Sequence, residues 1–222
     1  MYKLINFNRL IKYEEGLDMQ KKAFELVKDQ EYKGILLVLE HAPVYTIGTG
    51  GGQENLLRSK EYIESQGVDI VQISRGGNIT FHGPGQIVAY PIFNLNFLRK
   101  DTHWFIDCLE NAVIDVLGQY GIKGSKKPEY RGTWVEDEKI SAVGVAVRKW
   151  VTFHGLSFNI NLDKEFFNWI NPCGITEFGV TSLEDHVSNF EINTIKDQLI
   201  KSLENVFEIT LESADEKILK KD

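Results

Sequence analysis

Two cysteines and five histidines carry the most reactive chemistry in this 222-residue chain, and the two thiols separate at once. Cys108 stands among Trp104, Phe105, Leu109, Ala112, Val113, Val116 and Leu117, which recur at helical spacing. A free cysteine in such a stripe behaves as a small buried hydrophobe. Cys173 lies in Asn171-Pro172-Cys173-Gly174, after residues 164–170, which read as a short helix. Proline fixes the backbone on one side and glycine frees it on the other, so the thiol is presented on a tight loop beside backbone amides. A nucleophile is displayed this way, near donors that can hold an oxyanion. On local sequence alone, an inert loop thiol is the better of the two readings. A nucleophile also needs an activator, because a thiol of pKa about 8.5 is only a few per cent thiolate at neutral pH. His41, His82, His103, His154 and His186 all have the chemistry, and chain order does not say which is near. A site of His41, His82, His154 and Cys173 lacks the close-spaced ligand pairs of zinc centres. No metal and no other cofactor is expected.

The densest feature is Arg75-Gly76-Gly77-Asn78-Ile79-Thr80-Phe81-His82-Gly83-Pro84-Gly85-Gln86. Its glycines let the backbone approach a ligand while amide donors stay free. It is neither the phosphate loop with its Gly-Lys-Ser/Thr ending nor a dinucleotide fingerprint. As a generic glycine-rich turn it says little; as an ordered string it is specific.

The elements that must position these residues alternate without a repeat. Tyr13, Leu17, Phe24 and Val27 predict an amphipathic helix over 10–29. Residues 35–39 read as a buried strand, and 44–47 as a strand entering the loop Gly48-Thr49-Gly50-Gly51-Gly52. Strands are predicted at 69–74 and 86–93, flanking the glycine-rich string. Asp101 reads as the N-cap of the Cys108 helix, and Gly121 as its stop. Residues 140–147 and 150–160 read as strands joined at Arg148-Lys149. In the first, bulky Val143, Val145 and Val147 alternate with Ala142, Gly144 and Ala146, leaving one nearly bare face against which something can lie. Ile192, Ile195, Leu199 and Leu203 mark a late helix, and Phe207, Ile209 and Leu211 a final strand. The segment 123–131 is the only sharp change in composition and is too short for a tether. The whole, residues 1–222, reads as one α+β domain in which helices cover a mixed, mainly antiparallel sheet.

Composition sets outer bounds. With 25 basic against 32 acidic residues the net charge is −7, which argues against a bulk nucleic-acid binder. The longest aliphatic run is too short to span a bilayer, so no membrane partner is expected. Two cysteines and no export signal in the N-terminal residues suit a reducing cytoplasm.

Arg-Gly-Gly-x-x-Thr-x-His-Gly-Pro-Gly-Gln at 75–86 resembles the signature of the lipoyl(octanoyl) transferase family of lipoate biosynthesis. Three further blocks match in order. Gly132-Thr133-Trp134-Val135 leads to Lys139-Ile140-Ser141-Ala142-Val143-Gly144; His154-Gly155-Leu156-Ser157-Phe158-Asn159 follows; Pro172-Cys173-Gly174-Ile175 with Thr181-Ser182-Leu183 closes the set. The resemblance implies the fold of the biotin/lipoate protein ligase catalytic domain. It also implies transfer of an octanoyl (or lipoyl) group from acyl carrier protein to a lysine of lipoyl domains, those of 2-oxoacid dehydrogenases and the glycine cleavage H protein. Carried over by position, Cys173 is the acyl-accepting nucleophile and Lys139 its acid/base partner. Substrate contacts fall on Arg75, Gly76, Gly77, Asn78, Ile79, Thr80, Phe81 and His82, on Ala142, Val143 and Gly144, and on Gly155, Leu156 and Ser157. Phe81 stands where tyrosine is common and Ser157 where alanine is common, which touches the pocket lining and not the dyad.

The chemistry agrees with that assignment. Exchange between thioesters is nearly isoenergetic and thioester to amide runs downhill, so no ATP is required. Lys139 as a base needs its pKa brought down from about 10.4 toward about 7–8 by burial, or else it pairs as ammonium with the thiolate. Without the resemblance, Lys139 reads as a solvated strand-end lysine. Lys123, Lys126, Lys127 and Arg131 could receive an acidic carrier or form a solvated loop. The rival functions are an ATP-dependent lipoate or biotin protein ligase of the same fold, and an inactive acyl-binding module. A monomer is the default.

Overall fold

The computed structural model describes residues 1–171 and 178–220. In chain order its regular elements are β1 (Tyr2–Ile11), α1 (Tyr13–Lys28), β2 (Gly34–His41), β3 (Val44–Ile47), α2 (Lys60–Ser65), β4 (Asp69–Gln72), β5 (Ile79–His82) and β6 (Gln86–Phe93). They continue with α3 (Thr102–Gln119), β7 (Gly124–Lys127), β8 (Tyr130–Val135), β9 (Glu138–Arg148), β10 (Val151–Asn159), β11 (Gly179–Val180), α4 (Ile192–Phe207) and β12 (Leu211–Ser213).

The main sheet runs β12-β1-β2-β6-β10-β9-β8-β7, with β11 added beside β9. β1 is parallel to both of its neighbours and β11 is parallel to β9, while the other pairs are antiparallel. Every residue of β6 is buried, because both of its faces are covered. On one side Ile87 and Ala89 meet Phe105, Leu109, Leu199 and Leu203 of α3 and α4. On the other, Val88, Tyr90 and Ile92 meet Ala23, Phe24 and Val27 of α1. A second sheet, β4-β3-β5, has its own core of Tyr45, Ile47, Ile79 and Phe81 against Ile63 and Trp169.

Local chemistry sets several boundaries. Asp101 accepts from the backbone N–H groups of His103 and Trp104, capping α3 as expected. Its other end closes on Gly121, at φ +73°, where Gly121 N–H reaches Gly118 O and Ile122 N–H reaches Leu117 O. That is the paired bond pattern of a left-handed helix stop.

Other boundaries differ from the sequence reading. The first helix starts at Tyr13 because β1 occupies the chain up to Ile11. The 69–74 strand ends at Gln72, and the glycine-rich string contains a strand of its own, Ile79–His82. The β9–β10 turn is Lys149-Trp150, both at positive φ (53° and 63°), as a twist-matching hairpin requires. Much of 123–131 is strand, lying in β7 and β8. Phe207 ends α4, so the final strand is confined to Leu211–Ser213.

Candidate active site

The alternation read from β9 becomes the floor of a cleft. Antiparallel register sets Ala142 opposite Ser157 and Gly144 opposite Gly155, while Ser157 is also opposite Val88. Four small residues in two rungs, with the Val143–Leu156 rung between them, leave this patch low. Val143, Val145 and Val147 pack instead into the core under α3 and α4.

The glycine-rich string forms the roof. Its backbone is joined to the other glycine stretch: Gly48 N–H donates to Asn78 O, Thr49 N–H to Arg75 O and Gly50 N–H to Gly77 O. Arg75 ties the string to β3 and lays its stem on the floor. Its guanidinium donates to Thr46 O at 2.8 Å, Thr46 Oγ1 at 2.9 Å and Gly76 O at 3.0 Å. Its stem lies on Gly144, where an added Cβ would come within 3.1 Å of Arg75 Cδ. Part of the bare face is therefore covered by the protein's own arginine.

Between roof and floor is a cavity of about 70 Å³. Of the residues expected at the site, Arg75, Gly76, Gly77, Thr80, His82, Lys139, Ala142, Val143, Gly144, Gly155, Leu156 and Ser157 line it. Thr80, Lys139, Ala142 and Ser157 also border a smaller cavity of about 20 Å³ with Gln86, Ser141, Asn159, Phe167 and Val180. Lys139 stands where the two spaces meet. Ile79, Phe81 and Asn78 do not line either cavity. Ile79 and Phe81 point into the core of the second sheet, with Phe81 stacked 4.6 Å from Phe166, and the Asn78 carboxamide accepts from Asn55 and from Ile79 N–H. A charged groove of about 840 Å³ along α1 lies elsewhere, lined by Arg9, Glu14, Glu15 and Asp18, and none of the four motif blocks borders it.

Lys139 is half-buried at the start of β9. Its Nζ donates to Arg131 O at 3.2 Å and sits 4.8 Å from the Trp134 ring centroid. A carbonyl and an aromatic face are both partners for an ammonium. On its other side Lys139 pairs with Val180, and Thr181 N–H donates to Lys139 O at 3.1 Å. Cys173, with Pro172, Gly174 and Ile175, lies outside the described residues. The chain that follows it is the strand held against Lys139.

Behind the cavity is a buried polar cluster. His41 Nδ1 lies 2.8 Å from Ile11 O and its Nε2 2.7 Å from Tyr90 Oη. Tyr13 stacks on His82 at 6.3 Å. Burial holds all three imidazoles neutral, with pKa values lowered to about 3 for His82 and about 4 for His41 and His154. At neutral pH none of them supplies positive charge to a thiolate. Burial also raises the Cys108 thiol to about 11, in keeping with an inert core cysteine. Among the described residues no group of three or more His, Cys, Asp or Glu side chains is placed to hold a metal ion.

Tyr13, Val88, Tyr90, Arg131 and His154 share the larger cavity as well. By sequence Tyr13 belongs to a helix stripe, and His154 is one of five possible activators and opens the third motif block. His154 has a left-handed φ of +62° inside a strand, and its N–H is taken by Gln20 Oε1 at 3.0 Å. That irregularity leaves no trace in local composition.

Comparison with known proteins gives a consistent result. The family profile described as lipoyl protein ligase A/B catalytic domain matches residues 12–204. An octanoyltransferase from Clostridium kluyveri is 48% identical over 205 residues, covering 92% of this chain and 88% of that protein. One from Caldanaerobacter subterraneus subsp. tengcongensis is 50% identical over 207 residues, covering 93% and 90%. Among solved structures, the bipartite lipoate protein ligase of Thermoplasma acidophilum superposes with a TM-score of 0.74 at 15% identity, over 98% of this chain and 89% of that one. A biotin protein ligase from Aquifex aeolicus in complex with biotin and ATP gives 0.55 at 14% identity, over 99% and 73%. The two ligases share the fold, whereas the octanoyltransferases match about half of the residues along nearly the whole chain.

Proposed function

This chain belongs to the octanoyltransferases of the lipoyl protein ligase A/B catalytic-domain family, and from that premise we propose that it moves octanoyl from acyl carrier protein to lipoyl-domain lysines through a Cys173 thioester, with Lys139 as acid and base. The acceptors are lipoyl domains of 2-oxoacid dehydrogenases and the glycine cleavage H protein. The reading places a monomeric enzyme in the cytoplasm; no helix among the described residues is long and apolar enough to cross a membrane.

The observation that carries the mechanism is the position of Lys139. It faces the junction of two cavities on one side and pairs with the strand that follows Cys173 on the other. The Cys173 thiolate attacks the octanoyl carbonyl of the carrier thioester, with Lys139 as the ammonium beside it. The carbon–sulfur bond to the carrier breaks, and the leaving thiolate takes a proton from Lys139. The acceptor amine then attacks the enzyme thioester. Lys139, now neutral, takes a proton from that nitrogen as the amide forms, and Cys173 leaves as thiolate with the starting state restored. The Arg75 stem occupies the floor over Gly144, so the alkyl chain lies beside it, between Ala142, Gly155 and Ser157 below and the glycine backbone above.

The test is intact-protein mass after mixing with octanoyl-loaded acyl carrier protein without ATP. The parent and Cys108→Ser gain a hydroxylamine-labile octanoyl adduct, and Cys173→Ser gains no such thioester. An active protein that forms no adduct overturns the covalent mechanism, and a requirement for ATP would replace it with ligase chemistry.

A further inference from the structure

A run of buried hydrogen bonds reaches Lys139 from behind the cleft. His82 Nδ1 is 2.7 Å from Gln86 Oε1. Gln86 Nε2 donates to Asn159 Oδ1 at 2.9 Å and to Phe81 O at 3.3 Å. Asn159 Nδ2 donates to Thr181 O at 3.0 Å, and Thr181 N–H donates to Lys139 O at 3.1 Å. His82, Gln86, Asn159 and Thr181 are each at most 8% exposed.

The direction of the run is fixed by its chemistry. Gln86 Nε2 faces two acceptors, so Gln86 Oε1 must receive the Nδ1–H of His82. Asn159 accepts through Oδ1, which leaves its NH₂ for Thr181 O. Gln86 and Asn159 are also register partners on β6 and β10, so the two carboxamides meet across one rung. The five residues come from all four motif blocks, and the smaller cavity beside Lys139 is bordered by both carboxamides.

We propose that Asn159 is a positioning residue for the transfer reaction: it holds Thr181 against β9 and so fixes where Lys139 presents its amine. The inference rests on the reading of Lys139 as acid and base. Asn159 is suited to this because it accepts and donates at once while staying uncharged. Aspartate in its place keeps the acceptor for Gln86 but has no N–H for Thr181 O.

A double-mutant cycle on octanoyl transfer decides the matter, using wild type, Asn159→Ala, Lys139→Ala and the double variant, each checked for folding by thermal melt. Asn159→Ser replaces Asn159→Ala if the alanine variant does not fold. Asn159→Ala is expected to lower kcat at least about tenfold with KM for the donor within about threefold, and to cost less than about twofold in the Lys139→Ala background. Where that background is below detection, the split between kcat and KM decides. Losses that multiply, a rise in KM in place of a fall in kcat, or a wild-type kcat in Asn159→Ala beside an inactive Lys139→Ala would overturn the positioning role alone. A wild-type kcat in Lys139→Ala overturns the acid/base reading and this inference with it.

Discussion

His41, His82 and His154 are kept neutral by burial, and the same burial makes the fold sensitive to acid. Their folded-state pKa values are about 4, 3 and 4, below the value of about 6.5 for a histidine in an unfolded chain. Between those limits the unfolded state binds more protons than the native state, so stability rises with pH across that window and is lost as pH falls from about 6.5 toward about 4. At pH 5 one such histidine costs on the order of 1–2 kcal/mol. The rings of His41 and His82 are 5.8 Å apart, so their titrations are coupled and the costs do not simply add. The melting temperature is expected to drop between pH 7 and pH 5, and His41→Gln to flatten that slope even if it lowers stability at pH 7. An unchanged slope in that variant would contradict the assignment of His41 to the acid sensitivity.

The hairpin of β9 and β10 contributes both its flatness and its closeness to the neighbouring strand. At Gly155 a Cβ would stand 2.1 Å from Ala89 O and 2.7 Å from Pro91 Cδ, so alanine there must push β10 away from β6. Overpacking of this kind costs about 1–3 kcal/mol, and Gly155→Ala is expected to lower the melting temperature by roughly 3–10 °C. Gly144→Ala comes closest to the Arg75 stem, at 3.1 Å, which can give way, and meets Gly76 O at an ordinary 3.6 Å, so its loss should be smaller. Equal melting temperatures for the two variants would refute this account of the strand contact. The bare face of β9 was legible in the sequence because alternation is local and glycine and alanine announce it. Period-two alternation would also have divided the glycine-rich string, sending Thr80 and His82 to the cleft and Ile79 and Phe81 to the second sheet's core; taking the string whole blurred that division. β1 was not legible. It is held between β2 and β12, at residues 34–41 and 211–213, and its own alternation is broken by Lys3 and Arg9. The motif blocks identified Asn159, Gln86 and Thr181 as members of a pattern, but that they bond to one another is a matter of register between distant strands.

For the whole molecule, charge bears on how a donor protein arrives. The net charge is −7, and three of the basic side chains considered as a dock for an acidic carrier are engaged within the chain. Lys126 lies 3.5 Å from Asp107 and 3.9 Å from Glu110, Lys127 2.6 Å from Asp137, and Arg131 3.8 Å from Asp107. The residues stand on β7 and β8 at the end of the main sheet, where their carboxylate partners cancel much of the field they would project. Steering by a basic surface speeds association strongly and is erased by salt, because the screening length falls to about 8 Å at physiological ionic strength. With that field cancelled, kcat/KM for the octanoyl-carrier donor is expected to stay within about threefold between about 50 and about 300 mM salt. The Asp137→Asn variant releases Lys127 from its partner, and if pairing is what silences the surface, this variant should gain a fall in kcat/KM with salt that the parent lacks. A tenfold fall in the parent itself would mean that a basic docking surface survives the pairing and sets the encounter rate.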